Sequence, residues 1–167
     1  LKFPSLSRIF YKFSMRNRLG KFLKDFHLSN KINCVYDIGA FKGQWSNFYK
    51  NTSLSHCNFI LFEANKDHIK NLEKTGFQFF NVILSDKNKI VKFYNNNSSS
   101  GDSYYKENTN NHKNLKPKKI FAYELDYVVK QNKLVTPELI KIDTQGSEID
   151  ILKGSKQTLK KCNFIYL

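Results

Sequence analysis

The stretch Val35-Tyr36-Asp37-Ile38-Gly39-Ala40-Phe41-Lys42-Gly43 decides how this chain is read. It opens inside an apolar run, Ile32 to Asp37, that predicts a β-strand. Gly39 then lets the backbone turn sharply without a Cβ clash, and Ala40 keeps the turn small. Gly43 permits close approach before a helix predicted from Gln44 to Lys50. In doubly wound sheets the first strand-to-helix turn does most of the ligand holding, beyond the carboxyl ends of the strands and facing the helix amino terminus.

Downstream the same alternation repeats. Asn58 to Phe62 reads as a second strand, and Asn65 is placed to cap a helix that runs to Lys74 and stops at Gly76. Phe77 to Leu84 is apolar enough for a third strand covered on both faces, and Lys89 to Tyr94 alternates like an extra one. Asn95 to Lys119 is polar and predicts a long loop. Beyond it follow an extended run at Ile120 to Glu124, a helix at Leu125 to Gln131, a fourth main strand at Leu139 to Asp143, and a helix at Ser147 to Lys153 interrupted by Gly154. A fifth strand is expected over Asn163 to Leu167. No internal repeat is present.

Short apolar runs alternating with helical stretches predict an α/β fold, a mostly parallel sheet with helices on both faces. The reading ends within the fifth strand, so the sheet is expected to be cut short there and to expose an edge.

Before the first strand, Leu6, Ile9, Phe10, Phe13, Leu19, Phe22, Leu23 and Phe26 recur at mostly helical spacing between Arg8, Lys12, Arg16, Arg18, Lys21 and Lys24. Residues 1–30 are therefore expected to form an amphipathic helical cap, divided at Gly20, and residues 31–167 the sheet domain.

The formal net charge of +14 invites a nucleic-acid partner, yet Lys and Asn are spread along the whole chain rather than gathered in one patch. The three cysteines, Cys34, Cys57 and Cys162, lie in or beside apolar runs and read as buried thiols of a reducing, cytoplasmic protein. With the histidines scattered, no metal-ligand spacing arises. No apolar run approaches the about 18 residues of a membrane span.

The first turn reads D-x-G-x-x-x-G, with Asp37 ahead of the first glycine, whereas a dinucleotide fingerprint needs G-x-G-x-x-G. S-adenosylmethionine has no pyrophosphate to cradle and carries an ammonium beside a sulfonium cation, so a carboxylate near the turn suits it. Glu63 ends the second strand where an acid accepts hydrogen bonds from both ribose hydroxyls. Ser85 and Asp86, after the third strand, are placed to meet the adenine amine.

Four stretches together resemble the FkbM family of methyltransferases: Val35 to Ala40 with Gly43; Phe62-Glu63-Ala64-Asn65; Asn81-Val82-Ile83-Leu84-Ser85-Asp86; and Ile140-Lys141-Ile142-Asp143-Thr144-Gln145-Gly146-Ser147-Glu148 with Ile151-Leu152-Lys153-Gly154. The last is the most specific, although Thr144 and Gln145 stand where the family commonly has Val and Glu. The resemblance implies a Rossmann-like class I methyltransferase fold with S-adenosylmethionine as donor. It implies O-methylation of a hydroxyl on a sugar, glycan or other small molecule, ahead of ribose methylation of RNA or a non-catalytic cofactor module. It implies cofactor contacts from Asp37, Gly39, Ala40, Gly43, Glu63, Ala64, Ser85, Asp86 and Asp143.

Methyl transfer from a sulfonium asks the protein to align donor and nucleophile and to remove a proton. Asp143, at the carboxyl end of the fourth strand, is the first candidate to orient or deprotonate the acceptor. Glu148, at the next helix's amino end, is the second. Lys141, between Ile140 and Ile142, reads equally as a strand residue at the sheet edge or as a substrate contact. The segment Ser98 to Tyr105 has the hydroxyls and rings to close over a sugar.

Overall fold

A computed structural model describes residues 6–95, 102–106 and 115–167, with backbone alone for residues 6–15 and 29–30. The chain opens with one long helix, α1 (Leu6–Asn30). Gly20 does not divide it: a Cβ there would stand 3.1 Å from Ser53 Oγ, so the missing side chain lets the helix lie close to its neighbour. Leu23 is fully buried in the core, with Leu19 and Phe26 packed beside it. The side chains of Leu6, Ile9, Phe10 and Phe13 lie outside the described residues.

The main sheet contains β1 (Cys34–Ile38), β2 (Asn58–Glu63), β3 (Gln78–Asn81), β7 (Leu139–Ile142) and β8 (Phe164–Tyr166) in the order β3-β2-β1-β7-β8. Every neighbouring pair in it is parallel. Helix α2 (Gln44–Lys50) links β1 to β2, and α3 (Ile69–Glu73) links β2 to β3. Helix α4 (Leu125–Gln131) precedes β7, and α5 (Glu148–Lys153) and α6 (Lys156–Leu159) link β7 to β8. The order reverses about β1, so the space beyond the β1 and β7 carboxyl ends is the switch point.

Alternation along each strand divides the core in two. Val35, Phe59, Leu61 and Leu139 pack with Leu23, Tyr49 of α2 and Leu72 of α3 on one face. Tyr36, Ile38, Ile60, Phe62, Ile140 and Ile142 pack with Leu125 and Val128 of α4 and Ile151 of α5 on the other. The strands read as continuously apolar because both faces are covered.

The expected third strand, Phe77 to Leu84, is in fact broken at Val82. β2 has run out at Glu63, which pairs with Asn81, and the Val82 amide makes the last bond to the Glu63 carbonyl at 3.0 Å. The next residues, β4 (Ile83–Leu84), find a new partner in β6 (Lys118–Tyr123). β6 also pairs antiparallel with β5 (Lys89–Phe93), completing a second, three-stranded sheet. β3 is consequently an edge strand, only partly covered.

Of the Asn95 to Lys119 loop, residues 96–101 and 107–114 lie outside the described residues. Residues 102–106 form a strap: Ser103 pairs with Tyr94 through both backbone bonds, at 2.8 and 3.2 Å. No described helix is long and apolar enough to cross a membrane.

Candidate active site

The turn after β1 is held from beneath and from the side. The Gly39 and Ala40 amides both donate to the Phe62 carbonyl, at 2.9 and 3.1 Å. Gly39 has φ +74°, and a Cβ there would lie 2.1 Å from the Asp143 carbonyl oxygen, so only glycine lets β1 and β7 end this close together. Phe41 also adopts the left-handed region, at φ 54°, which aims its amide at Glu63.

Glu63 uses both carboxylate oxygens on backbone: Oε2 accepts from the Phe41 amide at 2.7 Å and Oε1 from the Asn65 amide at 2.8 Å. It is 7% exposed. Burial pushes its carboxyl up to about 7 against the two amide bonds, which lower it; Asp102 raises it further and Lys141 lowers it.

These elements enclose a cavity of about 430 Å³ at the carboxyl ends of the main strands. Gly39, Ala40, Glu63, Ala64 and Asp143, all singled out in the sequence, line it. Ile83, Leu84 and Phe93 add an apolar wall, and the strap adds Asp102, Ser103 and Tyr104. His68 lines it as well, its ring 4.4 Å from that of Phe41 and its basicity lowered by burial.

Other residues singled out in the sequence stand behind this wall. Asp37 is fully buried, with Oδ1 accepting from Lys141 Nζ at 2.8 Å and Oδ2 from Ser46 Oγ at 2.6 Å. Gly43 is buried with φ +73°, where a Cβ would meet Thr75 Cγ2 at 2.8 Å, so its contact is with α3's end. Ser85 is fully buried, bonded to Asp86 and 3.3 Å from the Tyr104 hydroxyl; Asp86 in turn pairs with Lys89. Glu148 faces its own turn, accepting from Thr144 Oγ1 at 3.0 Å and the Gly146 amide at 3.2 Å.

Lys141 is no edge residue. β7 lies between β1 and β8, and Lys141 sits in register with Asp37 on the neighbouring strand. The residue lines the cavity, and its Nζ donates also to the Gly39 carbonyl at 2.9 Å and lies 3.7 Å from Asp143 Oδ2.

Four residues had no role of their own in the sequence reading, Asp102 standing there only within the segment Ser98 to Tyr105. Asp102 is held by Asn65 Nδ2 at 2.6 Å, and Asp150 accepts from the Tyr104 and Tyr105 hydroxyls at 3.0 and 2.6 Å. Ser46 had no signal beyond its place in α2. Arg16 of α1, read only as part of a basic helix face, also lines the cavity. The cysteines stand apart from it: Cys34 and Cys57 are buried, where burial pushes them up to about 12 and about 11 and favours the thiol over the thiolate, whereas Cys162, read as buried, is only partly covered.

A family model described as the Methyltransferase FkbM domain matches residues 37–167. The chain belongs to the FkbM methyltransferase family. The match contains every strand end around the cavity and the Asp37, Glu63 and Asp143 carboxylates, whereas α1 precedes it. The parallel sheet with its reversal at β1 is the Rossmann-like arrangement expected of an FkbM methyltransferase domain. No curated protein sequence and no solved structure matches the chain.

Proposed function

We propose that the protein is an S-adenosylmethionine-dependent O-methyltransferase acting on a hydroxyl of a sugar, glycan or other small molecule. The observation that carries this reading is Glu63. Its carboxylate is fixed by the Phe41 and Asn65 amides at the end of β2, in the wall of the strand-end cavity. Each oxygen retains a lone pair, which suits it to a ribose diol.

The remaining wall fits the same ligand. Gly39 and Ala40 offer a close, side-chain-free floor, and Ile83, Leu84 and Phe93 offer an apolar face for a purine. Bound there, S-adenosylmethionine would supply an electrophilic methyl on a sulfonium. Asp37 contributes indirectly, by anchoring Lys141 and through it the Gly39 carbonyl. Ser85 and Asp86 back the purine wall at Leu84 and hold Tyr104 and Lys89.

Asp143 is the proposed acceptor-facing group. Its side chain is 73% exposed and lines the cavity, which suits it to accept a hydrogen bond from the acceptor's hydroxyl and to take up that hydroxyl's proton. Glu148 holds the Thr144–Gly146 turn and so fixes where Asp143 stands.

Titration of S-adenosylmethionine into the folded chain by calorimetry tests the cofactor; absence of heat and of thermal stabilisation would overturn the reading. Transfer of a labelled methyl group to a panel of hydroxylated small molecules and oligosaccharides tests the acceptor. Transfer to RNA alone would overturn that half.

A further inference from the structure

Helix α1 meets α2 and the turn after it at Tyr49 and Ser53. The Tyr49 hydroxyl donates to the Arg16 carbonyl at 3.3 Å, and Gly20, one turn further on, is buried 3.1 Å from Ser53 Oγ by the position its Cβ would take. The Arg16 guanidinium lies over the Phe48 ring, with Cζ 5.5 Å from its centroid. Phe48 is one helical turn from Gln44, so the guanidinium lies along the α2 face that carries Gln44. Arg16, Gln44 and Trp45 line the same cavity as Gly39 and Phe41.

The charged residues that line the cavity come from different elements. Glu63, Asp102 and Asp143 bring carboxylates from β2, the strap and the end of β7, Lys141 is paired with Asp37, and Arg16 comes from α1 beside α2. Arg18 and Lys21, equally exposed on α1, do not line it. A planar, permanently charged fork held against an aromatic ring is suited to a carboxylate.

From this placement we infer that Arg16 binds the carboxylate of the cofactor's methionine moiety, so that α1, which precedes the matched FkbM domain, completes the cofactor site. This rests on the cofactor reading above. The packing of Leu19, Leu23 and Phe26 into the sheet's core then has a second consequence, because it brings a guanidinium from outside residues 37–167 to the cavity, in addition to the Lys141 ammonium that pairs with Asp37.

The test uses the full chain and two nucleosides that share an adenosine thioether. S-adenosylhomocysteine carries the amino-acid carboxylate; 5′-methylthioadenosine lacks it. Arg16→Ala is expected to weaken S-adenosylhomocysteine about tenfold or more, the scale of one charge-assisted bidentate contact, and to leave 5′-methylthioadenosine within about twofold. Arg16→Lys recovers part of the loss, and Arg18→Ala changes neither ligand. Thermal melts with each variant report its folding.

Equal weakening of both nucleosides, no weakening of either, or the same loss from Arg18→Ala would overturn the assignment while leaving the cofactor reading intact. Failure of the unchanged chain to bind either nucleoside would overturn the cofactor reading, and the assignment with it.

Discussion

Lys141 Nζ donates to Asp37 Oδ1 at 2.8 Å from the neighbouring strand, with both side chains buried. Such charges persist in a core only when paired. Their pairing joins the ends of β1 and β7 beneath the cavity floor.

Lys141→Met strands the Asp37 carboxylate in the core. A loss of about 3–5 kcal/mol is expected, read as a lower denaturation midpoint in urea. The double variant Asp37→Leu with Lys141→Met should recover much of it, because the uncompensated charge is gone. A double variant as unstable as the single one would refute this account.

Gly39→Ala and Gly76→Ala separate backbone strain from contact. Both positions have positive φ, +74° and +71°, but a Cβ at Gly76 meets nothing within 4 Å, whereas one at Gly39 meets the Asp143 carbonyl at 2.1 Å. Gly76→Ala should cost about 1–2 kcal/mol. Gly39→Ala should cost clearly more and abolish cofactor binding, as measured by thermal melts and calorimetry. Equal costs would show that β7 yields without difficulty.

Glu63 should make stability fall with rising pH. Its carboxyl is raised to about 7 in the fold, above its unfolded value of 4.5, so the folded state holds the proton more tightly. Below pH 4.5 both states are protonated and the site contributes no difference; between there and pH 7 the cost grows, reaching about 3 kcal/mol above it. Subtracting the Glu63→Gln profile from that of the unchanged protein should isolate this slope. A flat difference between pH 4.5 and 7 would refute the burial argument.

Asp150 ties the strap down through two tyrosines, and the Tyr105 hydroxyl is held above its ordinary range chiefly by that hydrogen bond. Asp150→Ala should let Tyr105 titrate at lower pH in ultraviolet absorbance. It should also raise amide exchange across residues 102–106, at a cost of about 1–3 kcal/mol. Unchanged exchange there would mean the Ser103–Tyr94 pairing suffices.

The order of elements, the parallel sheet and the turn from Asp37 to Gly43 followed from the sequence, because each rests on local properties. Apolar runs of strand length, a glycine where φ must be positive, and an acid directly after β2 are signals carried by a few adjacent residues. The same local signals brought Gly39, Ala40, Glu63, Ala64 and Asp143 to the cavity. The tertiary structure alone decided which charges face it. Asp37 and Lys141 are far apart in the chain, and only the β1–β7 register makes them partners and turns Asp37 away from the ligand space. The break at Val82 depends on where β2 ends, and Arg16 reaches the cavity because Gly20 lets two helices lie close. Such outcomes are set by long-range pairing, and pairing across the chain leaves no periodic trace in the residues that make it.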